Sequence, residues 1–171
     1  MTYDISHAIE FRLQIRDFIR ESNAIEGIYR KPSKAEIDGT IDFLGIETPG
    51  ILDVEALVDI YQPGAKLRLL PHQNVRVGNY YPPAGGPDIG TRLADLLADL
   101  PHSDPWEAHL SFERLHPFED GNGRSGRAVW AWQMVRRPEG LSLGFLHRWY
   151  YQTLSSGPTR NISSSTMRYR P

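Results

Sequence analysis

The sequence predicts a mainly α-helical domain with one small β-hairpin, and three observations carry that expectation. Apolar residues recur at three- and four-residue spacing through most of the 171-residue chain, which is the period of a helix with one face turned to a core. Start and stop signals punctuate these runs, among them Ser33-x-x-Glu36, Thr48-Pro49-Gly50, Pro63-Gly64 and Asp104-Pro105. One stretch, residues 65–87, leaves the helical period for short alternating runs between turn residues.

The elements follow in order. Residues from about 4 to 21 carry Ile5, Ala8, Phe11, Ile15, Phe18 and Ile19 on one face, with Asp4 as a candidate cap. Ser22-Asn23-Ala24-Ile25-Glu26-Gly27 then reads as a helix end, with Gly27 as the left-handed cap. The capping box at Ser33 and Glu36 starts a helix that buries Ile37, Ile41 and Leu44. Ile51, Val54, Leu57, Val58 and Tyr61 make a short amphipathic helix over residues 51–61. In the alternating stretch, Leu67, Leu69, Val75 and Val77 flank Pro71-His72-Gln73-Asn74, so a hairpin is expected. Two strands alone are marginal in water, so it should lie on the helical body. Residues 88–100 (Ile89, Leu93, Leu96, Leu97, Leu100) and 105–115 (Ala108, Phe112, Leu115) are helical, with His109 read as a structural histidine. From Ala128 to Val135 the chain is apolar almost all round, which marks a central buried helix. A last helix is expected over 143–154, and the Ser-, Thr- and Arg-rich tail is expected to be loosely held.

Composition bounds the function classes. Apolar residues at 40% and charged residues at 23% are values of a globular domain rather than a disordered chain. A formal net charge of −2 gives no basic field to attract nucleic acid. No cysteine is present, so disulfides and thiolate metal sites are excluded, and the composition is compatible with a reducing cytoplasm. No run approaches the roughly 20 apolar residues of a membrane helix.

The chemistry concentrates in His116-Pro117-Phe118-Glu119-Asp120-Gly121-Asn122-Gly123-Arg124-Ser125-Gly126-Arg127. An imidazole can take a proton near neutral pH. Asp120 can hold a hard cation through oxygen, or cap the following helix. Gly121-Asn122-Gly123 can fold the backbone into a nest of N–H groups for phosphate oxygens, at the positive end of the helix that follows. Arg124 and Arg127 are three apart, so on a helix they share a face and can reach one anion.

This stretch resembles the signature of the Fic family, H-P-F-x-[D/E]-G-N-G-R-x-x-R, with every specified position present. Ser22-x-x-x-Glu26-Gly27 is similar to the family's inhibitory-helix motif, [S/T]-x-x-x-E-[G/N], and lies upstream of the signature as in the N-terminally inhibited class. The resemblance implies a Fic-type helical bundle with a β-hairpin flap beside the active site. It implies one domain over 1–171: an inhibitory segment at 1–30, the core at 31–157 and a loose tail at 158–171. It further implies a protein adenylyltransferase that moves AMP from ATP, with Mg²⁺, to a Tyr, Thr or Ser hydroxyl of a target protein. His116 would be the general base and Asp120 the Mg²⁺ ligand. Gly121, Asn122, Gly123, Arg124 and Arg127 would hold the phosphates. Glu26 would pair with Arg127 and obstruct the γ-phosphate. Arg76-Val77-Gly78 resembles the ending of the flap that docks the target by strand addition, and a plain connecting hairpin is the alternative. Tyr150 or Tyr151 would stack on the base or serve as a core aromatic. Relatives that phosphorylate carry lysine at the position of Gly123, so the glycine resembles the AMP-transferring form. A hydrolase that removes AMP through the same site, and a non-catalytic toxin–antitoxin or phage partner module, are the alternatives. Neither nucleic acid nor membrane is an expected partner. The nucleotide and the oligomeric state stay open.

Overall fold

A computed structural model describes residues 5–138 and 140–141. It holds six helices: α1 (Ile5–Ile25), α2 (Lys34–Gly45), α3 (Ile51–Tyr61), α4 (Pro87–Asp99), α5 (Pro105–Leu115) and α6 (Asn122–Met134). Their buried apolar side chains form one continuous cluster. α6 is at its centre, packed against α1, α2, α3 and α5. Ala128, Val129, Trp130, Ala131 and Trp132 are all buried, as expected of a helix apolar on every side. No helix among the described residues is long and apolar enough to cross a membrane. The expected helix at 143–154, Tyr150, Tyr151 and the tail at 158–171 lie outside the described residues, as does the Asp4 cap.

The caps form as the spacing predicts. Ser33 Oγ accepts the Glu36 N–H at 3.1 Å, and the Ser33 N–H donates to Glu36 Oε2 at 2.6 Å. Asp104 Oδ1 accepts the Trp106 and Glu107 N–H groups, with Pro105 at the first helical position. α1 is longer than its apolar face alone predicts. It carries on through Ser22 and Asn23, both buried, before it ends. The ending is a paired one: the Gly27 N–H donates to Ala24 O and the Ile28 N–H to Asn23 O. Gly27 sits at φ +74, the left-handed conformation such an ending requires. At the other end of α1 the expected stripe is not buried: Ala8 is exposed and Phe11 half-buried.

The β-hairpin is corrected. Among the described residues there is no strand, and the segment between α3 and α4 is a loop with two isolated antiparallel bridges, Leu67 with Phe118 and Val77 with Tyr80. Side chains occupy the backbone groups that a ladder would have paired. Gln73 Oε1 accepts the Leu70 N–H, Asn74 Nδ2 donates to Pro71 O, and Asn74 Oδ1 accepts the Gly85 N–H. Arg68 takes the carbonyls of Gln73 and Pro83, while Pro71, Pro82 and Pro83 have no N–H to give. What remains of a hairpin is a two-residue turn, in which Val77 and Tyr80 exchange both backbone hydrogen bonds. Residues 66–68 pair instead with the 117–119 segment: the Arg68 N–H donates to Pro117 O and the Glu119 N–H to Lys66 O, both at 2.9 Å.

Candidate active site

The 116–127 stretch spans the end of α5, a short loop and the start of α6. His116 caps α5 in the left-handed conformation, φ 48 and ψ 61. It is the only non-glycine residue with positive φ among the described residues, at a cost of about 1–2 kcal/mol for a side chain with a Cβ. Its N–H donates to Phe112 O at 2.8 Å and its carbonyl accepts Arg68 Nε–H at 2.7 Å. Burial lowers the imidazole pKa below its usual value. A backbone hydrogen bond with Glu113 opposes that, the Arg68 charge adds to it, and the Asp120 and Glu26 charges oppose it. The net effect keeps the ring neutral at pH 7 and able to accept a proton.

The loop that follows is held from within. Phe118 is fully buried. The Asn122 carboxamide accepts the Phe118 N–H and donates to the Phe118 carbonyl, each at 2.8 Å. Asn122 is 2% exposed. Both the oxygen and the nitrogen of its amide therefore bond to the Phe118 backbone, and the side chain staples the loop. Gly121, at φ +77, precedes α6, and a Cβ there would press on Gln62 Cβ at 3.1 Å. The first turn of α6 leaves N–H groups without intrahelical acceptors, and these begin at Asn122, beside the cleft. Asp120 is exposed, with Oδ1 accepting the Gly121 N–H at 2.6 Å. No group of three His, Cys, Asp or Glu able to enclose a metal occurs among the described residues. A single open carboxylate suits Mg²⁺ that takes its other ligands from phosphates and water.

The two arginines have different surroundings. Arg124 is buried, donates from Nη2 to Gln62 Oε1 at 2.8 Å and lies 5.7 Å over the Tyr61 ring. Burial lowers its pKa, and the charges of Glu26 and Asp120 raise it. Arg127 is 1% exposed and is clasped by the end of α1. Its Nε donates to Ser22 Oγ at 2.8 Å, and its Nη2 to Ser22 O at 3.0 Å and to Glu26 Oε1 at 2.7 Å. Gly123 has no side chain to keep Glu26 out: a Cβ there would fall under 3.0 Å from Glu26 Oε1.

A cleft of about 580 Å³ joins these groups. Glu26, Arg76, Val77, Gly78, His116, Asp120, Gly121, Asn122, Gly123 and Arg124 all line it. Arg127 does not, because the Glu26 carboxylate stands on its cleft side. Ser22 and Gly27 do not line the cleft: Ser22 bonds Arg127, and Gly27 closes the end of α1. Sequence reasoning missed three residues here. Gln62 follows α3 and carries no local signal. Glu113, three residues before His116, lines the wall. Arg68 had a faint signal, a lone arginine in Leu67-Arg68-Leu69-Leu70. His109 is buried as expected, with its pKa lowered by burial to about 4 and a hydrogen bond to the Gly126 backbone opposing.

The match to known families falls on this architecture. Residues 71–134 match the model of the Fic/DOC family. The matched stretch runs from the loop that walls the cleft, through α4 and α5, to the end of α6, and contains all of His116–Arg127. It leaves out α1 and with it Glu26. Over residues 71–134, the chain is similar to the Fic/DOC family.

Proposed function

We propose that this protein is a self-inhibited protein adenylyltransferase, moving AMP from ATP to a Tyr, Thr or Ser hydroxyl of another protein. The family match narrows the function to a Fic-type enzyme or a toxin-related role. The observation that carries the finer reading is the Glu26–Arg127 pair at 2.7 Å, set against a cleft that already holds a neutral imidazole, an open carboxylate and a helix N-terminus.

In this reading the acceptor hydroxyl enters past Arg76-Val77-Gly78 and meets His116. The hydroxyl oxygen bonds to the α-phosphorus, its proton passes to the imidazole, and the bond to pyrophosphate breaks. General-base help of this kind is worth about 10²–10⁴-fold. The first-turn N–H groups of α6 and the Arg124 guanidinium face the phosphates, where charge develops. Asp120 would hold Mg²⁺, which supplies charge neutralisation to the triphosphate when bound. Arg127 completes the anion site once released. While Glu26 holds it, one donor is withdrawn and a negative charge stands near an anionic ligand. A charge-assisted pair contributes roughly 1.5–3 kcal/mol, or about ten- to hundredfold in productive binding.

The test is Glu26→Gly incubated with labelled ATP, Mg²⁺ and host lysate. The expected outcome is AMP on a protein hydroxyl, far above wild type and absent when His116→Ala is added. A Glu26→Gly protein that binds ATP yet stays as silent as wild type would overturn the inhibitory role.

A further inference from the structure

Arg68 is 0% exposed, and burial lowers its pKa with no acidic side chain raising it back. A buried guanidinium without a carboxylate must be met by dipoles. Four backbone carbonyls from three places supply them. Nε donates to His116 O at 2.7 Å and Nη2 to Leu115 O at 3.0 Å. Nη1 donates to Gln73 O at 3.1 Å and to Pro83 O at 2.9 Å. The first two carbonyls belong to the C-terminus of α5, the negative end of its dipole. The other two bracket the 74–82 loop, which brings Val75, Arg76, Val77 and Gly78 to the cleft wall. The backbone of Arg68 joins the same assembly, donating to Pro117 O and accepting from the Gly86 N–H. Yet Arg68 does not line the cleft.

We infer that Arg68 is a positioning residue: its guanidinium holds His116 in the left-handed conformation and clamps both ends of the facing loop, so that base and docking wall keep one geometry. Without strands among the described residues, the loop has no ladder to set its distance from His116; the four carbonyl contacts take that role at its two ends, beside single bonds from Tyr80 Oη to Arg114 O at 2.8 Å and from Gln73 Nε2 to Glu119 Oε1 at 3.0 Å. The side chain must be arginine. Its rigid fork reaches carbonyls in several directions at once, whereas lysine offers a single nitrogen. In kinetic terms the inference rests on the proposed transfer reaction; in structural terms it does not.

The test uses Arg68→Gln and the milder Arg68→Lys in the full chain carrying Glu26→Gly. Four readouts are taken: ATP·Mg²⁺ affinity by calorimetry, single-turnover AMP transfer, the rate of trypsin cleavage after Arg76, and the His116 titration by NMR. Arg68→Gln is expected to keep ATP affinity within about threefold while transfer falls about hundredfold, the scale of a misplaced reacting group. Cleavage after Arg76 should quicken by about tenfold as the loop opens locally. The His116 pKa should rise, since a cation that disfavours the imidazolium is gone. In transfer and cleavage, Arg68→Lys should fall between, closer to Arg68→Gln, while the charge it keeps holds the His116 pKa nearer the parent's. A folded Arg68→Gln that transfers at the parent rate overturns the inference. So does a parallel fall in ATP affinity and transfer, which marks Arg68 as general support of the fold. If the Glu26→Gly parent itself transfers nothing, the proposed reaction fails instead. The inference about Arg68 is then decided by trypsin and NMR, and no change in either overturns it.

Discussion

Gly123→Ala should release the proposed inhibition from the opposite side of the contact. Gly123 lies in the first turn of α6, where any residue fits the backbone. The obstacle is space: a Cβ would sit under 3.0 Å from Glu26 Oε1 and 3.1 Å from Arg127 Nη1. A methyl group cannot share that volume with a carboxylate held at 2.7 Å from Arg127 Nη2. Arg127 is buried and fixed by two further bonds to Ser22, whereas the Glu26 side chain is 38% exposed. Glu26 is therefore the partner that moves. Loss of the pair removes roughly 1.5–3 kcal/mol, so productive nucleotide binding should rise about ten- to hundredfold. Thermal stability should fall by a few degrees, at about 2–4 °C per kcal/mol for a chain of this size. The assay is the rate of labelled AMP incorporation, compared across wild type, Gly123→Ala, Glu26→Gly and the double variant. The double variant should match Glu26→Gly, because the methyl group then meets nothing that matters. The reasoning is refuted if Gly123→Ala stays as silent as wild type while the double variant is as active as Glu26→Gly. A double variant much weaker than Glu26→Gly would instead show the methyl group obstructing phosphate.

Two further outcomes follow from the same geometry. Asn122→Ala removes both hydrogen bonds to the Phe118 backbone and leaves that buried N–H and carbonyl unmet; a loss of about 1–3 kcal/mol in stability is expected, read by thermal or urea unfolding. If stability is unchanged and only ATP affinity falls, the amide is a phosphate ligand after all. The second concerns acid. His109 has a folded pKa of about 4, below its ordinary 6.5. The folded state thus binds fewer protons than the unfolded one, and this contribution is present above pH 6.5 and lost as pH falls toward 4. His116 is shifted in the same direction. The melting temperature of wild type should decline through that window, and His109→Gln should flatten the decline. An equally steep profile in the variant would show that His109 does not carry it.

How far the sequence was legible depended on the range of the forces involved. α2 to α5 carried both a periodic apolar face and a local stop or start, and α6 an apolar run, so their existence followed from neighbours within four residues. The gathering of His116, Asp120 and Arg124 at one cleft was legible for the same reason, since they fall on one loop and one helix turn. The hairpin was not, because alternation in Leu67 and Leu69 says nothing about which groups occupy the backbone. Arg68 and Gln73 take those groups, and the partner of residues 66–68 is the 117–119 segment. Gln62 and Arg68 act across the tertiary structure and left no periodic trace. Asn122 was the instructive middle case. Its amide bonds to Phe118, four residues back, and such short-range bonding to backbone is a known habit of asparagine.

The position of the Glu26 carboxylate also says how the proposed inhibition would be released. The end of α1 is anchored on two sides. Arg127 holds Ser22, and Asn23 Nδ2 donates to Glu36 Oε1 at 3.2 Å. Glu36 is itself fixed. Burial would raise its carboxyl, but hydrogen bonds from Arg30, the Ser33 N–H, Asn23 and Ser33 Oγ outweigh that and hold it at about 2. Withdrawing the whole segment would break the Asn23 bond to Glu36 and every bond from Arg127 to Ser22 and Glu26, and leave a buried guanidinium without partners from α1. Turning Glu26 alone breaks one ion pair and leaves Arg127 bonded to Ser22. Its carboxylate already borders open cleft, so rotation into water is the lower-energy path. Release by a side-chain turn leaves α1 in place, and with it the Ser22 contacts that keep Arg127 aimed at the site. It follows that Glu26→Gly and a released wild type should share one backbone, and that truncating α1 should not reproduce the activated state.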